Sequence, residues 1–266
     1  MIDKLAAHTI ARHASICSGH DLAVTLGDQI PIVGEKVFNR LKDYPVIEDC
    51  RDLLIAEKPY SLTGFFAACG FKDAKDIDYN NKAAINFDLG KPLPAQYIQA
   101  ADFVYDGGVI EHIPDIYQAL KNSASLVKKG GVIFHVNPTA CFSGSYYSLN
   151  PELFHDFFTQ NGFRTLDLFV FWRIRKAILP KFNPTRILNS FERKRLRKEG
   201  NSTWYYAKNC DRLCDLRIHR NPLDKSFIEK MNWRGMPPYM HTAYVGVRKE
   251  IKDFKAPVPD HYPAIS

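Results

Sequence analysis

The sequence has no uninterrupted apolar run near the roughly 18 residues that a membrane-crossing helix needs. Its opening stretch, MIDKLAAHTIARHAS, is broken by charges and histidines. That pattern excludes a secretory signal and makes the cytosol the expected compartment. No G-x-G-x-x-G follows any apolar strand, so the phosphate-cradling turn of a nicotinamide dinucleotide site is missing. Cysteines are few and scattered: Cys17, Cys50, Cys69, Cys141, Cys210 and Cys214. Such spacing suits reduced, packed thiols rather than a disulfide framework. The one close pair, Cys210 and Cys214 with His219 nearby, lacks the four-ligand spacing of structural zinc, and no metal is expected. Repeats and low-complexity tracts are also missing.

What is present suits a packed core. Hydrophobic residues make up 45% and aromatics 13% of 266 residues, enough for one large domain or a domain with an elaboration. The net charge of +7 is not spread evenly. Arg173–Lys198 carries ten basic residues and a single acid, Glu192, a local +9, so the remainder is slightly negative. This segment reads either as a solvated helix face with Ile187, Leu188, Phe191 and Leu196 inward, or as arginines that meet an anionic partner. Nucleic acid is disfavoured, because the stretch lacks interleaved stacking aromatics.

The order of elements predicts an α/β chain. A helix over about 2–16 leads to a strand, Leu22–Leu26, closed by Gly27-Asp28. Helices follow near 34–42 and 59–69, the second capped by Gly70; residues 43–58 stay unassigned. Short strands at Ala74–Ile77 and Ala84–Phe87 end in Asp78 and Asp88. Ala101–Val136 then reads as strand, acidic glycine turn, helix and strand, with Gly130-Gly131 stopping the helix. A loop over 137–149 precedes a helix with Asn150 as N-cap and Pro151 at its first position. Phe163–Phe171 and His241–Arg248 are the last strands, and a proline-bearing irregular tail follows. Alternating strands and helices imply a doubly wound, mostly parallel, seven-stranded Rossmann-like sheet with an antiparallel edge strand. The long connection before the last strand predicts a helical, basic insertion. The expected division is a core of residues 1–171 and 241–266 and a cover subdomain of residues 172–240.

The run DFVYDGGVIEHIPDIYQALKNSASLVKKGGVIFHV resembles the core of the class I S-adenosylmethionine (SAM)-dependent methyltransferases, in particular a bacterial branch with a DGG-x-x-EH sequence. SYYSLNPELFHDFFTQNGFRTLDLFVF resembles the helix and strand that follow, and DIDYNNKAAINFDLGKPLP the stretch before. The likeness covers residues 76–171 well, the first 75 weakly and 172–240 hardly. It implies SAM as cofactor. Asp78 would accept from the two ribose hydroxyls, Tyr79 would pack on the adenine, and Asp88 and Leu89 would meet the adenine edge. Asp106, Gly107 and Gly108 would let the backbone approach the methionine portion, since glycine removes the Cβ obstacle. Read alone, each acid is equally an ordinary turn residue at a strand end. At the first strand only Gly27 remains of the family's glycines, and Thr25 stands where an acid is usual. Fifty-one residues separate Gly27 from Asp78, where a simple βα unit needs about 20.

Glu111 and His112 sit at the mouth of the implied site. His112 is placed to take a proton from an acceptor hydroxyl or amine; the plainer role for the pair is to cap and orient the next helix. Tyr146 and Tyr147 are candidates for the acceptor pocket or for the core, and Arg173 and Arg175 for contact with an anionic acceptor. The reading is a methyltransferase acting, more readily at oxygen than at nitrogen, on a small, anionic acceptor such as a sugar phosphate or nucleotide-linked sugar. The alternative is a non-catalytic binding protein on a decayed methyltransferase core. The sequence does not fix the oligomeric state.

Overall fold

A computed structural model describes residues 1–42, 60–140, 144–175, 202–206, 214–234 and 240–257. The unassigned stretch 43–58, the basic segment from residue 176 to 200, Cys210, and Pro259 and Pro263 of the tail lie outside these residues.

Among the described residues nine strands form one sheet. They are β1 (Leu22–Leu26), β2 (Asp73–Asp78), β3 (Ile85–Asn86), β4 (Ala101–Asp106), β5 (Val127–Ala140), β6 (Phe163–Arg175), β7 (Ser202–Tyr206), β8 (Cys214–Arg220) and β9 (Met240–Arg248), in the order β3-β2-β1-β4-β5-β9-β6-β8-β7. The first five pair in parallel, and the remaining pairings are antiparallel. The fold is thus an α/β Rossmann-like one with an antiparallel side, but nine strands replace the expected seven. The last strand in sequence is not at the edge: β9 runs between β5 and β6. Far from being wholly helical, the described part of the insertion adds β7 and β8 beyond β6, together with one helix, α6 (Lys225–Arg234).

The sheet is buried on both faces because its strands carry apolar residues at consecutive positions. In β4 all six residues are buried. Phe103 and Tyr105 point to one face, where α1 (Lys4–Ala14), α2 (Glu35–Lys42) and α3 (Leu62–Ala68) supply Ile10, Phe38, Phe65 and Phe66. Val104 points to the other, where α4 (Ile116–Leu126) and α5 (Pro151–Gln160) supply Leu120, Phe154, Phe157 and Phe158. Among the described helices five start on a side-chain oxygen that accepts from a backbone N–H: Asp3 from Ala6, Ser61 from Gly64, Asp115 from Gln118, Asn150 from Leu153 and, before α6, Asp224 from Phe227, satisfying donors left over at a helix start.

Gly130-Gly131 does not stop α4. The helix ends at Leu126, and the chain is already strand at Val127. Its last carbonyls are met instead by Arg248 of β9, whose Nη1 donates to Ala124 O (2.9 Å) and Val127 O (2.7 Å), so no capping glycine is needed. Gly131 is required for a different reason: a Cβ there would lie 2.9 Å from Asp102 O in the neighbouring strand. Likewise the expected loop from residue 137 begins later, because β5 continues to Ala140 against β9.

Among the described residues no helix is long and apolar enough to cross a membrane. Cys17 and Cys69 form no disulfide among the described residues.

Candidate functional site

Strand order reverses direction between β1 and β4, and in an open sheet of this type ligands bind at the carboxyl ends beside that point. Gly27 ends β1 with φ +72°, and its N–H donates to Ile77 O (2.7 Å). A Cβ at Gly27 would fall 2.6 Å from Val109 Cγ2, so the turn excludes a side chain on both counts. The next N–H, of Asp28, points at Asp78 Oδ2 (3.4 Å). Asp78 is half-buried at the end of β2, and Tyr79 beside it is 77% exposed. At the end of β3, Asp88 accepts from Gly90 N–H (2.9 Å), and Leu89 is buried in the core.

The loop that carries Asp88 and Leu89 is pinned from behind by Asn122 of α4. Its Nδ2 donates to Leu89 O (2.8 Å) and Lys91 O (2.7 Å), and its Oδ1 accepts from Leu93 N–H (3.1 Å) and Gln118 Nε2 (2.8 Å). Every donor and acceptor of this buried amide is used. Asn122→Ala is expected to strand those loop groups and cost about 1–3 kcal/mol of stability. Urea unfolding measures that loss. Unchanged stability would mean that the loop holds itself.

A second polar cluster lies inside. Asp106, fully buried at the end of β4, accepts from Val109 N–H (2.9 Å), His135 Nδ1 (2.9 Å) and Asn137 Nδ2 (2.7 Å). The same amide also donates to Glu111 Oε2 (2.9 Å). One Asn therefore bridges two carboxylates. Burial, with Asp106 close by, pushes the Glu111 carboxyl up to about 7. His112 is half exposed, with Nε2 3.8 Å from Glu111 Oε1, too far for a hydrogen bond. Tyr146 and Tyr147 donate through their backbone N–H groups to Glu111 O (3.0 and 3.2 Å), and Tyr147 OH donates to Pro114 O (2.7 Å).

Glu111 opens onto a cavity of about 400 Å³ on the α1 face of the sheet. Leu5 and Ala6 of α1, Phe134 and Val136 of β5, and Phe169 and Phe171 of β6 supply its apolar lining. Gly107, Gly108, Asp3 and His241 also line it.

The expected residues thus fall into two groups. Gly27, Asp78 and Asp88 gather at the carboxyl ends of β1–β3, and Gly107, Gly108 and Glu111 face the cavity. Asp106 turns its carboxylate inward, onto His135 and Asn137. The tyrosines are exposed rather than part of the core. Glu111 and His112 occupy a 3₁₀ turn and do not cap α4, which Asp115 does. Arg173 and Arg175 continue β6, opposite Leu216 and Cys214; the other arginines of the basic segment lie outside the described residues. His135 and Asn137 escaped the sequence reading, although polar residues two apart in the apolar run VIFHVN share a strand face. Asp3 and His241 carried no signal, since only the folded sheet brings them to the cavity.

Whether these residues suit SAM divides along the same line. The nucleoside half fits: Asp78 is partly exposed, and its one hydrogen bond, at 3.4 Å, is long, which leaves its oxygens able to accept from ribose hydroxyls. At the other half Gln29 is buried. Its Nε2 donates to Leu26 O (3.0 Å), its Oε1 accepts from the Met1 amine, and with Tyr105 OH it fills the space where a Cβ of Gly107 would go.

No family model and no curated protein matches this chain. Solved structures do. The YcgJ protein of Bacillus subtilis is 9% identical, with TM-score 0.44 over 93% of this chain and 100% of that one. A putative methyltransferase of Bacillus halodurans is 10% identical, TM-score 0.45, over 93% and 98%. A SAM-dependent methyltransferase of Archaeoglobus fulgidus is 13% identical, TM-score 0.41, over 82% and 94%. With TM-scores below 0.5 these likenesses say nothing of activity, and the reading of this chain rests on its own residues.

Proposed function

We propose that this chain is a SAM-dependent methyltransferase that acts on a small acceptor. One observation carries the reading: two adjoining sites flank the reversal of strand order, an acidic one at Asp78 and Asp88 and an apolar cavity that opens at Glu111. When bound, SAM would supply an electrophilic methyl group. Asp78 would hold its ribose, Asp88 and the backbone at Leu89 its adenine, with Tyr79 free to close over the ring. Gly27, Gly107 and Gly108 would let the backbone approach. The cavity would hold and orient the acceptor, and much of the rate would come from that positioning. Glu111 would receive the acceptor's proton, and half-exposed His112, 3.8 Å from it, would hand it to solvent through a bridging water. Tyr146 and Tyr147 would form the rim. Residues 1–171 and 241–266 would be the SAM-binding core, and residues 172–240 would complete the acceptor side. The expectation of an anionic acceptor, methylated at oxygen, draws on the basic segment, of which Arg173 and Arg175 are described as β6 backbone. The cavity lining favours a different charge.

Titration calorimetry with SAM and its demethylated product, S-adenosylhomocysteine (SAH), tests the reading. Both are expected to bind, and Asp78→Ala is expected to weaken them by about 1–3 kcal/mol. Absence of binding by a folded protein would favour the alternative, a non-catalytic binding protein. Gln29, set against Gly107, is the observation that supports it.

A further inference from the structure

We propose that the cavity takes a small apolar amine, its nitrogen received by Glu111; this rests on the cavity being the acceptor site. The shape and lining come first. About 400 Å³ lies at the small end of the range for small-molecule sites. Phe134, Phe169 and Phe171 offer aromatic walls, and aromatic pairs gain from offset or edge-on contact beyond their buried area.

The carboxylates facing that volume set its character. Glu111 and Asp3 line it, and no lysine or arginine whose side chain is described does. The Met1 amine, also on the wall, is hydrogen-bonded to Gln29, and His241 stacks on Phe171 with ring centroids 5.3 Å apart. Behind Glu111 stands a second carboxylate, Asp106, already matched by His135 and Asn137. Asn137 gives Glu111 one hydrogen bond, and His112 is beyond reach. Glu111 is thus a carboxyl with a 5% exposed side chain, a like charge behind it and an apolar chamber in front. A buried charge of this kind is held neutral by a proton or compensated by a cation. An ammonium entering the chamber supplies that cation, and a carboxylate or phosphate entering it adds a third like charge.

Three probes of one shape test this on the intact chain: 2-phenylethylamine, 2-phenylethanol and phenylacetate, titrated calorimetrically at pH 8 with and without saturating SAH. The amine is expected to bind about 10-fold or more tighter than the alcohol, as a charge-assisted hydrogen bond allows, with phenylacetate weakest. Glu111→Gln keeps the side-chain shape and an oxygen for Asn137. It is expected to erase the preference for the amine and to leave the alcohol within about 2-fold, since a neutral hydrogen bond remains. Ala243→Leu, which fills the chamber, is expected to abolish all three. Phenylacetate binding as tightly as the amine, an amine preference that survives Glu111→Gln, or no binding of any probe would overturn the proposal. SAH is titrated alone as well. If SAH binds and the amine preference fails, the amine site falls and the methyltransferase reading stands. If SAH fails to bind while the amine binds through Glu111, the amine site stands and methyl transfer falls.

Discussion

Asp106→Ala is expected to lower the unfolding free energy by about 3–5 kcal/mol, the range for removing one partner of a buried ionic cluster. Three donors lose their acceptor at once: Val109 N–H, His135 Nδ1 and Asn137 Nδ2. Two of them cannot turn to water, because His135 and Asn137 are fully buried and His135 is packed against Phe154 and Phe158 at ring distances of 5.3 and 5.2 Å. The loss should exceed that of a single broken neutral hydrogen bond, which is about 1 kcal/mol. Asp106→Asn should fall between, since its amide keeps one acceptor oxygen but turns a donor toward the others. Urea denaturation of the three proteins measures the series. A loss under about 1 kcal/mol for Asp106→Ala would mean that water or a rearrangement replaces the carboxylate.

Glu111→Gln is expected to stabilise the chain at alkaline pH. Burial and the neighbouring Asp106 raise the Glu111 carboxyl from 4.5 to about 7. Below about 4.5 the carboxyl is protonated in folded and unfolded chains alike, and it exerts no pH-dependent effect. Between 4.5 and about 7 the folded chain keeps a proton that the unfolded chain has released, so stability falls as pH rises. Above about 7 the full penalty, about 3 kcal/mol, is present. Glutamine is never charged and escapes it. The variant's advantage should therefore open between pH 5 and pH 8 and then level off, reaching on the order of 5 °C in melting temperature. A difference between the two proteins that does not vary with pH would show that Glu111 ionises as freely as a surface carboxyl. The stabilised variant is also the one expected to lose the amine site, which sets stability against function at one residue.

Much of the fold was legible, because local chemistry marks it. β1 has the expected bounds, since a short apolar run closed by Gly27 allows little else. α5 shows its own start and stop in Asn150-Pro151 and Asn161-Gly162. The end of α4 misled because Gly130-Gly131 has the composition of a helix stop, while the groups that finish the helix belong to Arg248, far along the chain. The end of β6 and the added strand β8 do carry a local mark: W-R-I-R (172–175) and L-R-I-H-R (216–220) alternate with a period of two, as a strand does, but the cations in these runs also suit a solvated helix face. For the site, the acids at strand ends could be read in order, but the cavity could not. Its walls come from α1, β5, β6 and β9, and strand order, which no local pattern encodes, brings them together. Asp106 shows the same limit: its place after β4 was readable, whereas the partners that turn it inward stand on β5.

The position of β9 bears on how the chain is made. Until β9 exists, β5 has a partner on one side only, and its 14-residue length is an open edge of apolar strand. β6 cannot cover it, because β6 joins the sheet through β9. Residues 176–239 must be synthesised first, a delay of several seconds at roughly 5–20 residues per second. During that time the nascent chain displays the kind of edge that other chains can pair with. The length of the connection before β9 thus sets how long each new molecule is exposed to aggregation, and shortening it should raise the yield of folded protein even where stability is unchanged.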